Sequence, residues 1–202
     1  MHVRDADRDD AETIASVARA SWHAAYGGFL SEGEIDATVD EWYAPETLRR
    51  HIAAAGAFLV AEADSDDGAD GEGGADGYDA GRLLGFAHVR YAPEVGNVVI
   101  RRIYVHPDAW GGGVGTALLG AVARRFADDH EQLSTVVFAE NEVGLSFYKR
   151  HGFEMIGQQT TAFGGEEHDE RIVVADLDDL AELAPGAEAS TAERTDGTNE
   201  PD

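Results

Sequence analysis

The chain is 202 residues long and 43% hydrophobic, enough for one domain with a substantial core and too short to presume two. Asp and Glu number 40 against 15 Lys and Arg, a formal net charge of −25, which speaks against a nucleic-acid partner because phosphate backbones need a basic face. With no cysteine, a disulfide framework, a thiol nucleophile and a thiolate metal site are excluded, and the eight histidines show no paired ligand spacing, so no metal is expected.

No apolar stretch approaches the ~20 residues of a membrane-spanning helix, and the N-terminus lacks the basic-then-apolar profile of a signal peptide. The expectation is a soluble, cytoplasmic protein without membrane contact. Its acids are spread over loops, helices and the C-terminal stretch, as on a surface adapted to concentrated salt. At ~1 M salt the Debye length is about 3 Å, so both self-repulsion and long-range steering are screened. The chain therefore reads as a protein of a salt-accumulating microbe; the competing reading is a mesophilic acidic protein with disordered acidic segments.

In chain order, His2 to Ala6 reads as a first strand, and Asp9-Asp10 as the cap of a helix with Ile14, Val17 and Ala18 at helical spacing. Trp22-His23-Ala24-Ala25-Tyr26-Gly27-Gly28-Phe29 follows, an aromatic loop ended by glycines that serves either packing or a substrate wall. Ser31 followed by Glu34 is a capping-box pattern; the helix it opens carries Ile35 and Val39, breaks near Pro45, restarts through Leu48 and Ile52, and stops at Gly56. Ala57 to Ala63 and Arg82 to Tyr91 are β-rich runs. Between them, Asp64 to Gly81 is almost wholly Asp, Gly, Ala and Glu, the composition of a long mobile hairpin loop and not of a calcium loop.

Asn97 to Val105 is a third strand-like run, and it leads into Trp110-Gly111-Gly112-Gly113-Val114-Gly115-Thr116 at the head of a helix lined by Val114, Leu118, Val122 and Phe126. Glycines ahead of a helix are either an ordinary turn with a helix cap or a nest of backbone N–H groups that holds an anion through oriented amides and the helix dipole. The spacing fits neither a dinucleotide fingerprint nor a P-loop, so the loop suggests phosphate without naming its carrier. Leu133 to Ala139 contains a continuous Val-Val-Phe, which predicts a strand buried on both faces in a central, parallel position. Asn141 to His151 reads as a short helix closed by Gly152, followed by strands near Phe153 to Thr161 and Arg171 to Leu177. Residues 178–202 read as a disordered acidic tail without periodicity. The whole is an α+β arrangement, a sheet with helices on both faces.

At 100° per residue, Asn141, Gly144 or Leu145, and Tyr148 lie along one side of their helix, with Val143 and Phe147 on another. On the residues alone, Asn141 is a helix N-cap and Tyr148 an amphipathic residue at the edge of the core. In combination they say more. Ile103-Tyr104-Val105-His106-Pro107, Gly113-Val114-Gly115 and Asn141 to Phe153, in this order, resemble the GCN5-related N-acetyltransferases (GNAT), over most of residues 1–177 and including the Trp22 to Tyr26 segment.

The resemblance implies a GNAT domain over 1–177, with a mixed, mostly antiparallel sheet of about seven strands and one splayed parallel pair forming a wedge for acyl-CoA. It implies acetyl-CoA as co-substrate, its pyrophosphate on Trp110, Gly111, Gly112, Gly113, Val114, Gly115 and Thr116, and its pantetheine arm paired with backbone at Ile103, Tyr104 and Val105 as an added strand. Asn141 and Gly144 would border the same site, Tyr148 would give its proton to the departing thiolate, and Arg150 would approach the nucleotide end. Trp22, Tyr26 and Phe29, with the loop Thr161 to Glu167, would wall the acceptor: a small-molecule amine or a protein N-terminal amine. Homodimers are common in the family.

Two departures stand out. Trp110 occupies the first loop position, where relatives place Arg or Gln, so backbone contacts must do that work. The strand before the loop reads Val98-Val99-Ile100-Arg101-Arg102 and lacks the usual Glu base. Glu94, His88 and Glu140 are candidates instead, and loss of the proton through water is equally acceptable. The missing Glu favours a non-catalytic acyl-CoA sensor on the same scaffold, and the retained Tyr148 favours an enzyme.

Overall fold

The strands build one sheet with a separate core on each face. The computed structural model describes residues 1–54, 56–64, 82–93 and 97–183. The strands are β1 (His2–Asp5), β2 (Ala57–Glu62), β3 (Leu83–Ala92), β4 (Asn97–Val105), β5 (Gln132–Phe138), β6 (Glu154–Phe163) and β7 (Glu166–Asp176). They form one sheet in the order β1-β2-β3-β4-β5-β7-β6, antiparallel except for β4 beside β5. The helices are α1 (Ala11–Tyr26), α2 (Glu32–Trp42), α3 (Pro45–Ile52), α4 (Val114–Phe126), α5 (Glu142–Arg150) and α6 (Leu177–Ala181).

Local chemistry explains most helix ends. The Ser31 capping box with Glu34 opens α2, Pro45 occupies the first turn of α3, and Gly113, at φ 78°, turns the chain into α4. On one sheet face, Leu59, Ala87, Val98 and Leu133 pack with Leu118 and Val122 of α4 and with Leu177 and Leu180 of α6. On the other, Phe58, Val60 and Phe86 lie under Ile14 and Val17 of α1, Ile35 of α2 and Leu48 of α3. Fully burying such a side chain contributes about 1.5–3 kcal/mol.

One irregularity in β4 redirects its side chains. Opposite His88 and Val89, β4 pairs through Arg102 and Ile100, leaving Arg101 as the extra residue of a β-bulge. Val98 and Ile100 face the α4 core before it, while Ile103 and Val105 do so after it, so the strand's parity flips. That flip turns Arg102 and Tyr104 towards α1–α3.

Four sequence expectations change. Asp10 stands at the N-cap position of α1 but its side chain does not bond the helix: Asp7 caps a short turn ahead of it, and Asp10 reaches back to the Asp7 N–H and to Arg4. Trp22 to Tyr26 is the last part of α1, not a loop, because Trp22 and Tyr26 sit at positions four apart that both point into the core. β5 is buried on one face only; it pairs in parallel with β4 but antiparallel with β7, and Val136 is 43% exposed because it faces a cleft. The tail expected from Asp178 begins instead as α6, since Leu177, Leu180 and Leu183 recur every third residue and pack on α4. The predicted loop from Asp64 to Gly81 lies, Asp64 apart, outside the described residues, as do residues 184–202.

Candidate active site

β4 and β5 run side by side only at Val98 with Leu133 and Val99 with Ser134. Where the backbone ladder stops, hydroxyls bridge the fork: Ser134 Oγ donates to the Val98 carbonyl at 3.4 Å and Thr135 Oγ1 to the Ile100 carbonyl at 3.1 Å. Beyond them the strands part, and a cavity of about 1260 Å³ opens between Ile103–Val105 and Val136–Phe138. The splayed pair expected from the sequence is therefore present.

The His106 N–H bonds the Leu84 carbonyl at 2.8 Å, so alternation directs the Tyr104 backbone to β3 and leaves Ile103 and Val105 facing the wedge. The Val105 carbonyl is already engaged. It accepts from Ser21 Oγ at 2.9 Å and from Trp110 Nε1 at 2.8 Å, which occupies both of its lone pairs. Of the three residues expected to offer backbone to a ligand, Ile103 and Val105 face the wedge with the Val105 carbonyl already engaged, while the Tyr104 backbone pairs with β3. Trp110 is explained by the same contact, because its indole ties the glycine loop to the end of β4.

The whole loop from Trp110 to Thr116 lines the cavity. Gly111 and Gly113 have φ of 77° and 78°, and a β-carbon on Gly111 would meet nothing within 4 Å, so the backbone stands open. The Thr116 hydroxyl is already engaged. It lies 2.9 Å from His151 Nε2, while His151 Nδ1 lies 2.8 Å from the Phe147 carbonyl. A carbonyl only accepts, so Nδ1 carries the proton and Nε2 accepts from Thr116, locking the start of α4 to the end of α5.

On α5, Asn141 is the N-cap, its Oδ1 accepting from the Gly144 N–H at 2.9 Å. Tyr148 lines the cavity one helical stripe further on and is 6% exposed. Burial pushes its phenol well above the ordinary value, although its hydrogen bond with Thr135 opposes this. Tyr148 therefore keeps its proton throughout the physiological range.

At the other end the cavity is aromatic, with Trp22, Tyr26, Trp42, Tyr104, Phe138 and Phe163 around it. Trp22 Nε1 donates to Tyr43 Oη at 3.1 Å, and the Tyr26 and Tyr104 hydroxyls lie 3.1 Å apart. Trp22 and Tyr26 line the cavity from the last turns of α1. Phe29 does not line the cavity; it packs behind Phe138 and His168, with ring centroids at 5.8 and 5.9 Å. The expected loop from Thr161 to Glu167 is a tight hairpin between β6 and β7, of which Thr161 and Phe163 face the cavity.

Sequence reasoning missed Trp42, Thr135, Phe138, His151 and Glu170. Only His151, inside the Asn141 to Phe153 segment, carried a local signal. Neither His88 nor Glu140 reaches the cavity. His88 is stacked on Phe58 and His51, and burial, with Arg102 nearby, pushes its pKa down to about 3; Glu140 pairs with His168 at 3.5 Å. Glu94 lies outside the described residues. Among the described residues, no group of three or more His, Asp and Glu is placed to hold a metal ion, and no helix is long and apolar enough to cross a membrane.

A splayed parallel pair, an open glycine loop at a helix start and a buried tyrosine on the facing helix meet at one cavity. Residues 54–155 match the model of the acetyltransferase (GNAT) domain, and the chain belongs to that family. It is 28% identical over 161 residues to the spermidine N(1)-acetyltransferase of Thermoplasma acidophilum, covering 77% of this chain and 89% of that one. Among solved structures, the PaiA N-acetyltransferase of Thermoplasma acidophilum in complex with coenzyme A has a TM-score of 0.67 at 24% identity, over 87% of this chain and 98% of that one. The ribosomal-protein-S18-alanine N-acetyltransferase of Escherichia coli has a TM-score of 0.58 at 14% identity, over 87% and 93%. The two structural likenesses are of fold.

Proposed function

We propose that the protein moves an acetyl group from acetyl-CoA to a primary amine by direct attack. The observation that carries this is the wedge itself, with the glycine loop at one end and Tyr148 on the α5 wall. The residues present fit the cofactor: the loop's N–H groups are unobstructed at Gly111, Gly113 adopts the left-handed turn that opens α4, and Ile103 offers backbone along the wedge. Trp110 to Thr116 would hold the pyrophosphate, and Ile103 and Val105 would line the arm.

Acetyl-CoA, when bound, supplies an activated thioester. The protein's own groups do the rest. A backbone N–H in the wedge meets charge developing on the carbonyl oxygen, and Tyr148 holds a proton for the leaving sulfur, whose reference pKa is ~8.5. No covalent enzyme intermediate is needed, consistent with a chain free of cysteine. The acceptor is a small amine or a protein N-terminal amine, a range supported by the spermidine and ribosomal-protein enzymes among the relatives. Neither His88 nor Glu140 reaches the cavity, which leaves Glu94, outside the described residues, or water to take its proton.

The test is thiol release from acetyl-CoA against an amine panel in multimolar KCl, the solvent that a net charge of −25 suits. Turnover that depends on the amine is expected. Acetyl-CoA binding without acetylation of any amine would favour an acyl-CoA sensor, and failure to bind acetyl-CoA would overturn the reading.

A further inference from the structure

In a chain with 40 acids and 15 Lys and Arg, an arginine in the cavity wall without an acid beside it calls for an explanation. Arg4, Arg19, Arg49 and Arg125 each pair with a carboxylate. Arg102 does not. Its guanidinium lies 4.5 Å over the Tyr43 ring, with one nitrogen 3.2 Å from His51 Nδ1 and the other 3.3 Å from the Trp42 carbonyl. All three partners are neutral: burial first, then Arg102 and Arg50, push the His51 pKa down. Among the described residues no carboxylate pairs with Arg102.

These contacts orient the guanidinium without neutralising it. The Tyr43 ring sets its plane, as cation–π contacts do, and two of its five N–H donors are engaged. Three donors remain on a half-buried cation that lines the cavity beside Trp42 and Tyr104. The bulge at Arg101 places it there, by turning Arg102 towards α1–α3 and away from the α4 face that carries the glycine loop. Among the described residues the cavity lining contains one carboxylate, Glu170, which stands on β7 and accepts from Gln159 Nε2 at 2.7 Å.

We propose that Arg102 is an anion seat in the acceptor pocket, so that the favoured acceptor is an amine that also carries a carboxylate or a similar oxyacid group on an apolar or aromatic body. A planar guanidinium with spare donors matches an oxyanion in two-pronged geometry, and Trp22, Trp42 and Phe163 supply walls for the body. A polyamine fits this end poorly, because its second ammonium would face Arg102 in a low-dielectric aromatic site. The inference rests on the acetyltransferase reading for the amine, while the anion seat can be tested apart from it.

The experiment compares L-phenylalanine and L-methionine with their carboxamides, and with spermidine, as acceptors for the full-length protein in one KCl concentration. The same acids are titrated calorimetrically into protein loaded with coenzyme A. Wild type is expected to favour each acid over its amide by about tenfold to a hundredfold in kcat/KM, the range of a charge-assisted hydrogen bond. Arg102→Gln should bring that ratio near one through KM, and Arg102→Lys should restore part of it. Equal use of acid and amide by wild type, preference for spermidine, or no binding of either acid would overturn the proposal. So would Arg102→Gln loosening acetyl-CoA as much as the acids, which would place Arg102 at the cofactor. If acids bind in an Arg102-dependent way but nothing is acetylated, the anion seat stands and the transfer reading falls.

Discussion

Gly115 lies so close to Phe147 that a β-carbon on it would come within 2.8 Å of the ring. The first turn of α4 and the middle of α5 therefore share one packing contact, which couples the glycine loop to the helix carrying Tyr148. Phe147 cannot easily give way, because its ring is wedged against Tyr148 and His151, with centroids 5.3 and 4.4 Å away. Gly115→Ala is expected to cost about 1–3 kcal/mol as an overpacking change and to weaken acetyl-CoA binding at the same time. Urea unfolding and calorimetric titration on one preparation test both, and an unchanged dissociation constant would uncouple the loop from α5.

Tyr148→Phe removes the proposed proton donor with little change in shape. Loss of a general acid typically lowers turnover by about 10²–10⁴-fold. Because burial raises the wild-type phenol above its ordinary pKa, the acid form persists through neutral pH, and the deficit should hold between pH 7 and 9. A kcat profile that matched wild type across that range would remove Tyr148 from the role.

Asn141 caps α5 through its side-chain oxygen, and a β-carbon on Gly144 would press to 2.6 Å from the Asn141 amide nitrogen. Asn141→Ala should cost about 1 kcal/mol, while Asn141→Ser should recover most of it, since serine caps as well. Gly144→Ala should resemble the loss of the cap. The denaturation midpoints of the three variants decide this, and an Asn141→Ala midpoint equal to wild type would contradict it.

His88 gives stability a direction in pH. The unfolded imidazole takes its proton near pH 6.5, whereas the buried ring, stacked between Phe58 and His51, does so only near pH 3. Between these values the unfolded chain binds the extra proton, so stability is full above about pH 6.5 and declines as pH falls towards 3. His88→Phe keeps a stacked ring and removes the proton, and should flatten the urea midpoint between pH 6.5 and 4.5 relative to wild type. An identical acid limb in the two proteins would rule the effect out.

Leu180 is 1% exposed against α4, where the Arg124 guanidinium also donates to the Ala181 and Leu183 carbonyls at 3.3 and 3.2 Å. Leu180→Ala should therefore cost about 2–5 kcal/mol, as a buried truncation does. A loss below about 0.5 kcal/mol, the scatter of ordinary surface substitutions, would mean that α6 adds nothing to the core.

Much of the architecture was legible because its causes are local. β-rich apolar runs marked β2, β3 and β4, the Ser31 to Glu34 capping box marked α2, and the glycines before Val114 marked the turn into α4. The errors had local causes too. Val-Val-Phe looked buried on both sides because hydropathy cannot tell a core from a cleft, and Val136 faces a cleft. The Leu177, Leu180, Leu183 repeat was hidden by the acids around it.

By itself the sequence determined the strand and helix periods, the glycine loop, the Asn141 cap, the placing of Tyr148 on the same helix stripe and the absence of thiol chemistry. Each follows from interactions within a turn or a pleat. Only the tertiary structure decided which groups meet in the cavity. Ser21 reaches Val105 across 84 residues, Tyr26 reaches Tyr104 across 78, and Arg102 reaches His51 across 51. A single bulge at Arg101 sets the side to which Arg102 and Tyr104 turn, and that depends on pairing with β3, a long-range contact that no local pattern in β4 encodes.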